Sequence, residues 1–405
     1  MKTTRLLAGS AALASLLVSG TSVAETRVGA DVGVNVGVAT NPFGSTTNSA
    51  ASGTLNGSFA PFLTLVSPTG STTLRGNVSH TEYTRLYDGT TDYTVSLSTA
   101  HKISPQASLT GGVSYSSYVN NGLFPVINPV VGAPINPNDP IFVDPSAGAN
   151  LRERTEVLSG NVGLSFAVSP RDSIDLSARA TQVSFPNGSA LSQGYKSYGG
   201  SAYYMRTISA NTSIGAGLDF MRNDYDNPVF GSSTQYSPTA RLTTRLAPRL
   251  SLNVSAGLTF SQTDVLGGSV NSTAFSGSVG LCRDGERARF CVTGSHGISP
   301  STLTGSSKVT SLGASYQYKL TPRSNISANL SYSRSQSLSN IPNIGNLANQ
   351  DADYGQVGIS YDRQILERLS AVVSAGYSDS FGSLVQRGSN LFGSIGLRYR
   401  LGDPR

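Results

Sequence analysis

From residue 27 onward, apolar and polar positions alternate with a period of two almost to the end of the chain. Val28, Ala30, Val32, Val34 and Val36 are interleaved with Gly29, Asp31, Gly33 and Asn35. The same rhythm runs through Leu250, Leu252, Val254, Ala256, Leu258 and Phe260, and again through Leu391, Gly393, Ile395, Leu397, Tyr399 and Leu401. A period of two puts successive side chains on opposite faces of a strand, so each run has one apolar and one polar face. The runs are about 10–13 residues long, against about 5–6 in soluble strands and about 9–11 for a tilted strand that crosses a bilayer. Length therefore favours a membrane barrel over a soluble sandwich.

The pattern predicts about eighteen strands, the first at 27–38 and the last at 391–401, with 273–283, 289–297 and 308–320 among those between. A sixteen-strand barrel results if one hairpin is misjudged, and bacterial barrels have even strand numbers. The expected fold is an all-β transmembrane antiparallel up-and-down β-barrel. Alternate connections are tight and carry proline: Ser67-Pro68, Ser104-Pro105, Ser169-Pro170, Ala247-Pro248 and Thr321-Pro322. Proline presets a turn dihedral and cannot donate to a ladder, so it belongs there. The others are longer, at 39–52, 119–153, 185–194, 223–233, 298–307 and 336–352. Short periplasmic turns alternating with long outer loops is the outer-membrane arrangement. Ser299-Pro300 resembles the short-turn motif but falls in a long loop, and as a short turn it would reassign the strands around it.

Composition agrees. Only 13% of the 405 residues are charged and the mean hydropathy is −0.11, as expected when apolar residues face lipid and small polar ones face a lumen. Trp is absent, so an interfacial girdle must use Tyr and Phe, with Tyr93, Tyr115, Phe275, Tyr361, Tyr377 and Tyr399 as candidates. Lys2, Arg5, the apolar stretch Leu6 to Val18 and Ser22-Val23-Ala24 read as a signal peptide over 1–24, leaving 25–405 as the barrel. The expected location is the outer membrane of a Gram-negative cell, reached through the periplasm. The net charge of +6 comes without any basic cluster interleaved with aromatics, so nucleic acid is not an expected partner.

The C-terminal Ser394-Ile395-Gly396-Leu397-Arg398-Tyr399-Arg400-Leu401 resembles the assembly signal of outer-membrane barrels, carried here by Ser394, Gly396, Tyr399 and Leu401. The resemblance implies the barrel-assembly machinery as a partner. Asn41-Pro42-Phe43 after the first strand, followed by Ala60-Pro61, resembles the porin-2-like outer-membrane β-barrel family. Members of that family often sit beside exopolysaccharide-export systems, and the family carries no catalytic motif.

Candidate chemistry is sparse. The histidines are His80, His101 and His296, none in a metal-ligand spacing, so no metal, cofactor or enzyme activity is expected. Asp88 and Asp92 near His80 and Glu82 are the nearest approach to a catalytic cluster, and they read as solvated polar residues at the ends of a short loop. If Leu281 pairs with Val292, Cys282 falls opposite Cys291 on the inner face, within reach of a disulfide in an oxidising compartment. Arg75, Arg85, Arg179, Arg241, Arg245 and Arg398 are expected to line the pore, with Lys319 and Arg400, opposed by Asp31, Asp175, Asp219 and Asp362. These charges either bias a water-filled lumen toward anions or sugars or pair and fill it. Loop 119–153 combines Pro125, Pro129, Pro134, Pro137, Pro140 and Pro145 with Phe124, Ile127 and Phe142, too apolar for a solvated loop. Folding into the lumen would make it a constriction loop with Asp139 and Asp144 facing the arginines; packing on the rim or on a neighbouring subunit of an oligomer is the alternative. The expected function is a porin-like channel for small polar or anionic solutes, or else a barrel that serves exopolysaccharide export or a structural role in contact with outer-membrane lipid.

Overall fold

The computed structural model describes residues 25–45, 49–119, 153–186, 194–226, 230–265, 268–301, 305–338, 351–382 and 388–402. The expected signal peptide lies outside them, as does nearly all of loop 119–153 with Asp139 and Asp144. Eighteen antiparallel strands form one sheet, and β1 (Glu25–Ala39) pairs with both β2 (Ser52–Ser67) and β18 (Asn390–Gly402), which closes it into a barrel. The sixteen-strand alternative is excluded.

In chain order the strands between are β3 (Gly70–Tyr83), β4 (Thr90–Ser104), β5 (Ala107–Val119), β6 (Arg154–Ala167), β7 (Asp172–Ser184) and β8 (Tyr195–Ser209). They continue with β9 (Thr212–Tyr225), β10 (Phe230–Ala247), β11 (Leu250–Val265), β12 (Gly268–Asp284) and β13 (Ala288–Ser301). The last are β14 (Gly305–Thr321), β15 (Ser324–Ser337), β16 (Asp351–Gln364) and β17 (Leu369–Gly382). Pro68, Pro105, Pro170, Pro248 and Pro322 all occupy connections at one end. Proline inside the wall interrupts a ladder on one side only: β10 pairs with β9 through Pro238 but resumes with β11 at Thr239.

Two sequence expectations need correction. β12 and β13 overrun their expected limits, and Ser299-Pro300 is the outer end of β13, where Pro300 pairs with Ser306 of β14, so it is not a short turn. The outer connections are also shorter than expected, with residues 226–229 and 302–304 replacing the broad loops 223–233 and 298–307. In both cases pairing with a neighbour extends strands through residues that local sequence reads as loop.

Following paired residues once around the sheet returns to β1 about 22 residues further along, which closes the wall with a strand tilt of about 40°. With strands about 4.8 Å apart, the backbone diameter is roughly 35 Å. Val34, Leu55, Val95, Leu218, Leu258, Leu330 and Ile359 are among the exposed apolar side chains, all on the outward row. The tilt offsets residues of equal height by about one position per strand. On that reckoning Tyr93, Tyr115, Phe275 and Tyr377 form an outer aromatic row, whereas Tyr361 and Tyr399 lie only about 12 Å below it, inside the apolar band and not at a periplasmic interface. From that row down to the exposed Ile103, Ile208 and Leu246 near the periplasmic ends of their strands, the apolar band is roughly 25 Å tall, the thickness that outer-membrane barrels present to lipid. The chain is an outer-membrane β-barrel.

Candidate functional site: the lumen wall and outer mouth

The inward row is built from small hydroxyl residues. Directly opposed serines bond across neighbouring strands at Ser114–Ser159 (2.7 Å), Ser177–Ser201 (2.7 Å), Ser255–Ser278 (2.8 Å), Ser295–Ser311 (2.6 Å), Ser327–Ser360 (2.6 Å) and Ser374–Ser394 (2.7 Å). Each pair takes its position from the register of its strands. Together they form a hydroxyl belt at mid-height. Side chains this short cannot span the interior of an eighteen-strand wall, where about 16–18 strands leave a channel.

Charges occupy the same zone. Register puts Arg75, Arg179, Arg241, Arg245, Arg398, Lys319 and Arg400 on the inward row, with Asp31, Asp175, Asp219 and Asp362. Arg75, Arg241, Arg398, Asp31 and Asp362 fall within about two residues of one height once the tilt is allowed for. Arg400 Nε donates to Asp31 Oδ1 at 2.9 Å, and Arg398 Nη2 donates to Asp362 Oδ2 at 2.7 Å, which clusters four charges around the seam where β18 meets β1. Asp219 accepts from the Tyr203 hydroxyl and from Thr239 Oγ1 (3.1 Å), while the Arg241 guanidinium lies 3.3 Å from the centre of the Tyr203 ring. Among the described residues, Arg179, Arg241 and Arg245 form no ion pair. Arg85 departs from expectation. β3 ends at Tyr83, and Arg85 lies exposed in the outer connection to β4: register sets it opposite Ser52 of β2, but its N–H goes to the Ser52 hydroxyl and the chain turns away at Leu86.

Cys282 and Cys291 occupy directly opposed inward positions and are joined by a disulfide, with their Cα atoms 4.1 Å apart, next to the paired Leu281 and Val292. Ser394 and Gly396 sit on the inward row of β18, Tyr399 and Leu401 on the outward row. The polar cluster near His80 does not assemble. His80 Nε2 meets Glu82 Oε1 at 2.8 Å on the outward face, whereas Asp92 on the inward row accepts the Val119 N–H at 2.9 Å. Among the described residues no group of His, Cys, Asp and Glu could hold a metal ion.

The outer mouth is narrowed from two sides. On one, the chain after β1 turns inward: Asn41 accepts the Ser45 N–H at 2.9 Å, and Asn390 Oδ1 accepts the Asn41 N–H at 3.0 Å. This places Phe43 against Tyr83 (ring centres 5.4 Å apart) and Tyr87 (5.0 Å), all three buried. Leu86, at φ 62°, turns the chain that brings Tyr87 in.

On the other side the wall itself opens. The β12–β13 ladder stops at Gly277–His296, although β13 and β14 stay paired as far as Ser301–Gly305. Above that point residues 268–276 of β12 pair only with β11. The outer end of β14 instead seats on the inner faces of β9, β10 and β11. Tyr225 donates to the Gly305 carbonyl, and Ser306 Oγ lies 3.2 Å from Ser233 Oγ and 3.4 Å from Thr263 Oγ1. The ladder opens at the height of the stacked Phe275 and His296 rings, the outer aromatic row. Below it lipid would leave unpaired backbone unsatisfied; above it water can reach the free edge. Beneath the seat Asn223, Gln235 and Ser261 are 0%, 3% and 5% exposed, and Asn223 Oδ1 and Nδ2, Gln235 Nε2 and Ser261 Oγ have no hydrogen-bond partner among the described residues. Sequence reasoning missed these residues, because each reads as an ordinary inward polar position. The one signal was Ser299-Pro300, a turn-like pair in a place where a turn did not fit.

No protein-family model matches the chain, and no curated protein matches it. Among solved structures it resembles the FrpB iron transporter from Neisseria meningitidis (F3-3 variant), with 8% identity and a TM-score of 0.46 over 93% of this chain and 82% of that one. It also resembles the ferric-catecholate import receptor Fiu from E. coli K12, with 8% identity and a TM-score of 0.47 over 94% and 82%. A third is the siderophore receptor PirA from Pseudomonas aeruginosa, with 10% identity and a TM-score of 0.43 over 92% and 80%. None of these likenesses bears on substrate.

Proposed function

We propose that this barrel is a passive channel for small polar or anionic solutes. The observation that carries the reading is the inward wall: opposed serines around an eighteen-strand circumference, with Arg179, Arg241 and Arg245 outside any ion pair among the described residues. Hydroxyls replace part of the hydration shell of a polar solute, and unpaired guanidinium groups favour anions. The carboxylates at the seam are already engaged by Arg398 and Arg400.

Single-channel conductance of the refolded protein in a planar bilayer tests this. Open channels with a reversal potential on the anion side are expected, and Arg241→Glu with Arg245→Glu should move that potential toward cation preference. The same recordings after removal of residues 122–148 test whether loop 119–153, with Asp139 and Asp144, constricts the lumen; conductance should then rise. A barrel silent in every form would sink the channel reading. A role in exopolysaccharide export rests on the porin-2-like resemblance of Asn41-Pro42-Phe43 and Ala60-Pro61, and loss of surface polysaccharide on gene deletion would support it. Recognition of Ser394, Gly396, Tyr399 and Leu401 by the assembly machinery predicts that truncating β18 abolishes insertion.

A further inference from the structure

The seat beneath the β14 tip has the chemistry of a binding site. Asn223 offers a carbonyl oxygen and an amide nitrogen, Gln235 an amide nitrogen and Ser261 a hydroxyl, all on the inward row of adjoining strands and all without a partner among the described residues. Leaving such groups desolvated and unbonded is costly. A wall that only had to be closed would carry apolar side chains here, as it does around Phe43. The buried inward neighbours Ser197, Ser233 and Thr263 carry no charge. An anion would find no counter-charge among them and a metal ion no carboxylate. Mixed donors and acceptors without charge match a ligand whose every group both donates and accepts, which is a row of sugar hydroxyls.

The tip of β14 presents that chemistry to the seat: the Ser306 hydroxyl meets Ser233 and Thr263, and the Gly305 carbonyl accepts from Tyr225. We propose that Asn223, Gln235 and Ser261, with Ser233 and Thr263, form a subsite for a neutral saccharide at the outer mouth, and that the β14 tip occupies it in competition with the sugar. The proposal rests on reading the lumen as a solute path and names a solute class for it.

The test is calorimetric titration of the refolded full-length barrel with maltotriose, alongside conductance recordings. Wild type should bind, and Asn223→Ala with Gln235→Ala should weaken binding at least tenfold while the heat-modifiable gel mobility of the folded barrel is kept. In a Cys282→Ser/Cys291→Ser background, Ser233→Cys with Ser306→Cys should cross-link the tip onto its seat. Binding should fall at least tenfold on oxidation and return on reduction. Absence of maltotriose binding in wild type would overturn the proposal, as would unchanged binding in the alanine pair or in the cross-linked form. The two readings separate cleanly: a conducting barrel indifferent to maltotriose keeps the channel and removes the subsite, whereas a silent barrel that binds maltotriose at this seat does the reverse.

Discussion

The two sides of the outer mouth narrow the same opening with opposite chemistry. Between β1 and β4 the covering segment ends in an aromatic knot, Phe43 on Tyr83 and Tyr87, fixed by the Asn41 side chain. Between β9 and β14 the cover is the end of the wall itself, held by serine and tyrosine hydroxyls above amide groups that have no partner among the described residues. Aromatic burial is strong and needs no partner atoms. Each hydroxyl contact nets only about 1 kcal/mol, and the unpartnered groups below work against it. The comparison teaches that closeness of packing does not measure strength of closure: Ser233 is as buried as Phe43, yet the β14 tip is expected to leave its seat far more easily than Phe43 leaves the aromatic knot.

The largest effect is expected from Phe43→Ala, which removes the centre of the knot at a cost of about 3–5 kcal/mol. Amide exchange in residues 40–45 and 84–89 should then accelerate about a hundredfold or more, while residues 305–309 stay unchanged. Ser306→Ala should do far less on the other side, about 1 kcal/mol, or roughly fivefold faster exchange at 305–309. Comparable responses at the two sites would erase the distinction.

Gln235→Met sharpens it by reversing the sign. Replacing an unpartnered amide with an apolar chain of similar length relieves a desolvation penalty, so exchange at 305–309 should slow by up to about fivefold. Faster exchange there would mean that the amide supports the seat. The smallest change in stability is expected from Asp31→Asn at the seam, under about 1 kcal/mol for a partly exposed pair. Its readout is electrical: with Arg400 released, the reversal potential should shift further toward anions and leave both sides of the mouth untouched.

Much of this was legible in the chain. The alternation of Val28 to Val38 with glycine and polar residues assigned β1 its two faces, and Ser67-Pro68 and its counterparts marked the turns. The offset from Leu281–Val292 to Cys282–Cys291 is a register that two short runs define between them. Arg85 shows the limit of parity. It matches the inward row of β3 and falls opposite Ser52 of β2, but its N–H goes to the Ser52 hydroxyl and the chain turns away at Leu86, a departure that no period of two encodes. Asn223, Gln235 and Ser261 were invisible for another reason. Each is typical of a lumen wall, and only the arrival of β14 from several strands away turns them into a covered site.

The sequence by itself determined the facing of nearly every wall residue, because facing depends only on a local period of two and on turns a few residues long. The tertiary structure alone decided height and departure. Which charges share one level depends on the register of all eighteen strands together, since each pairing adds its own offset before the sheet closes. Where β13 leaves β12 depends on the level at which the wall emerges from lipid, for only there can water take over the bonds that the ladder gives up.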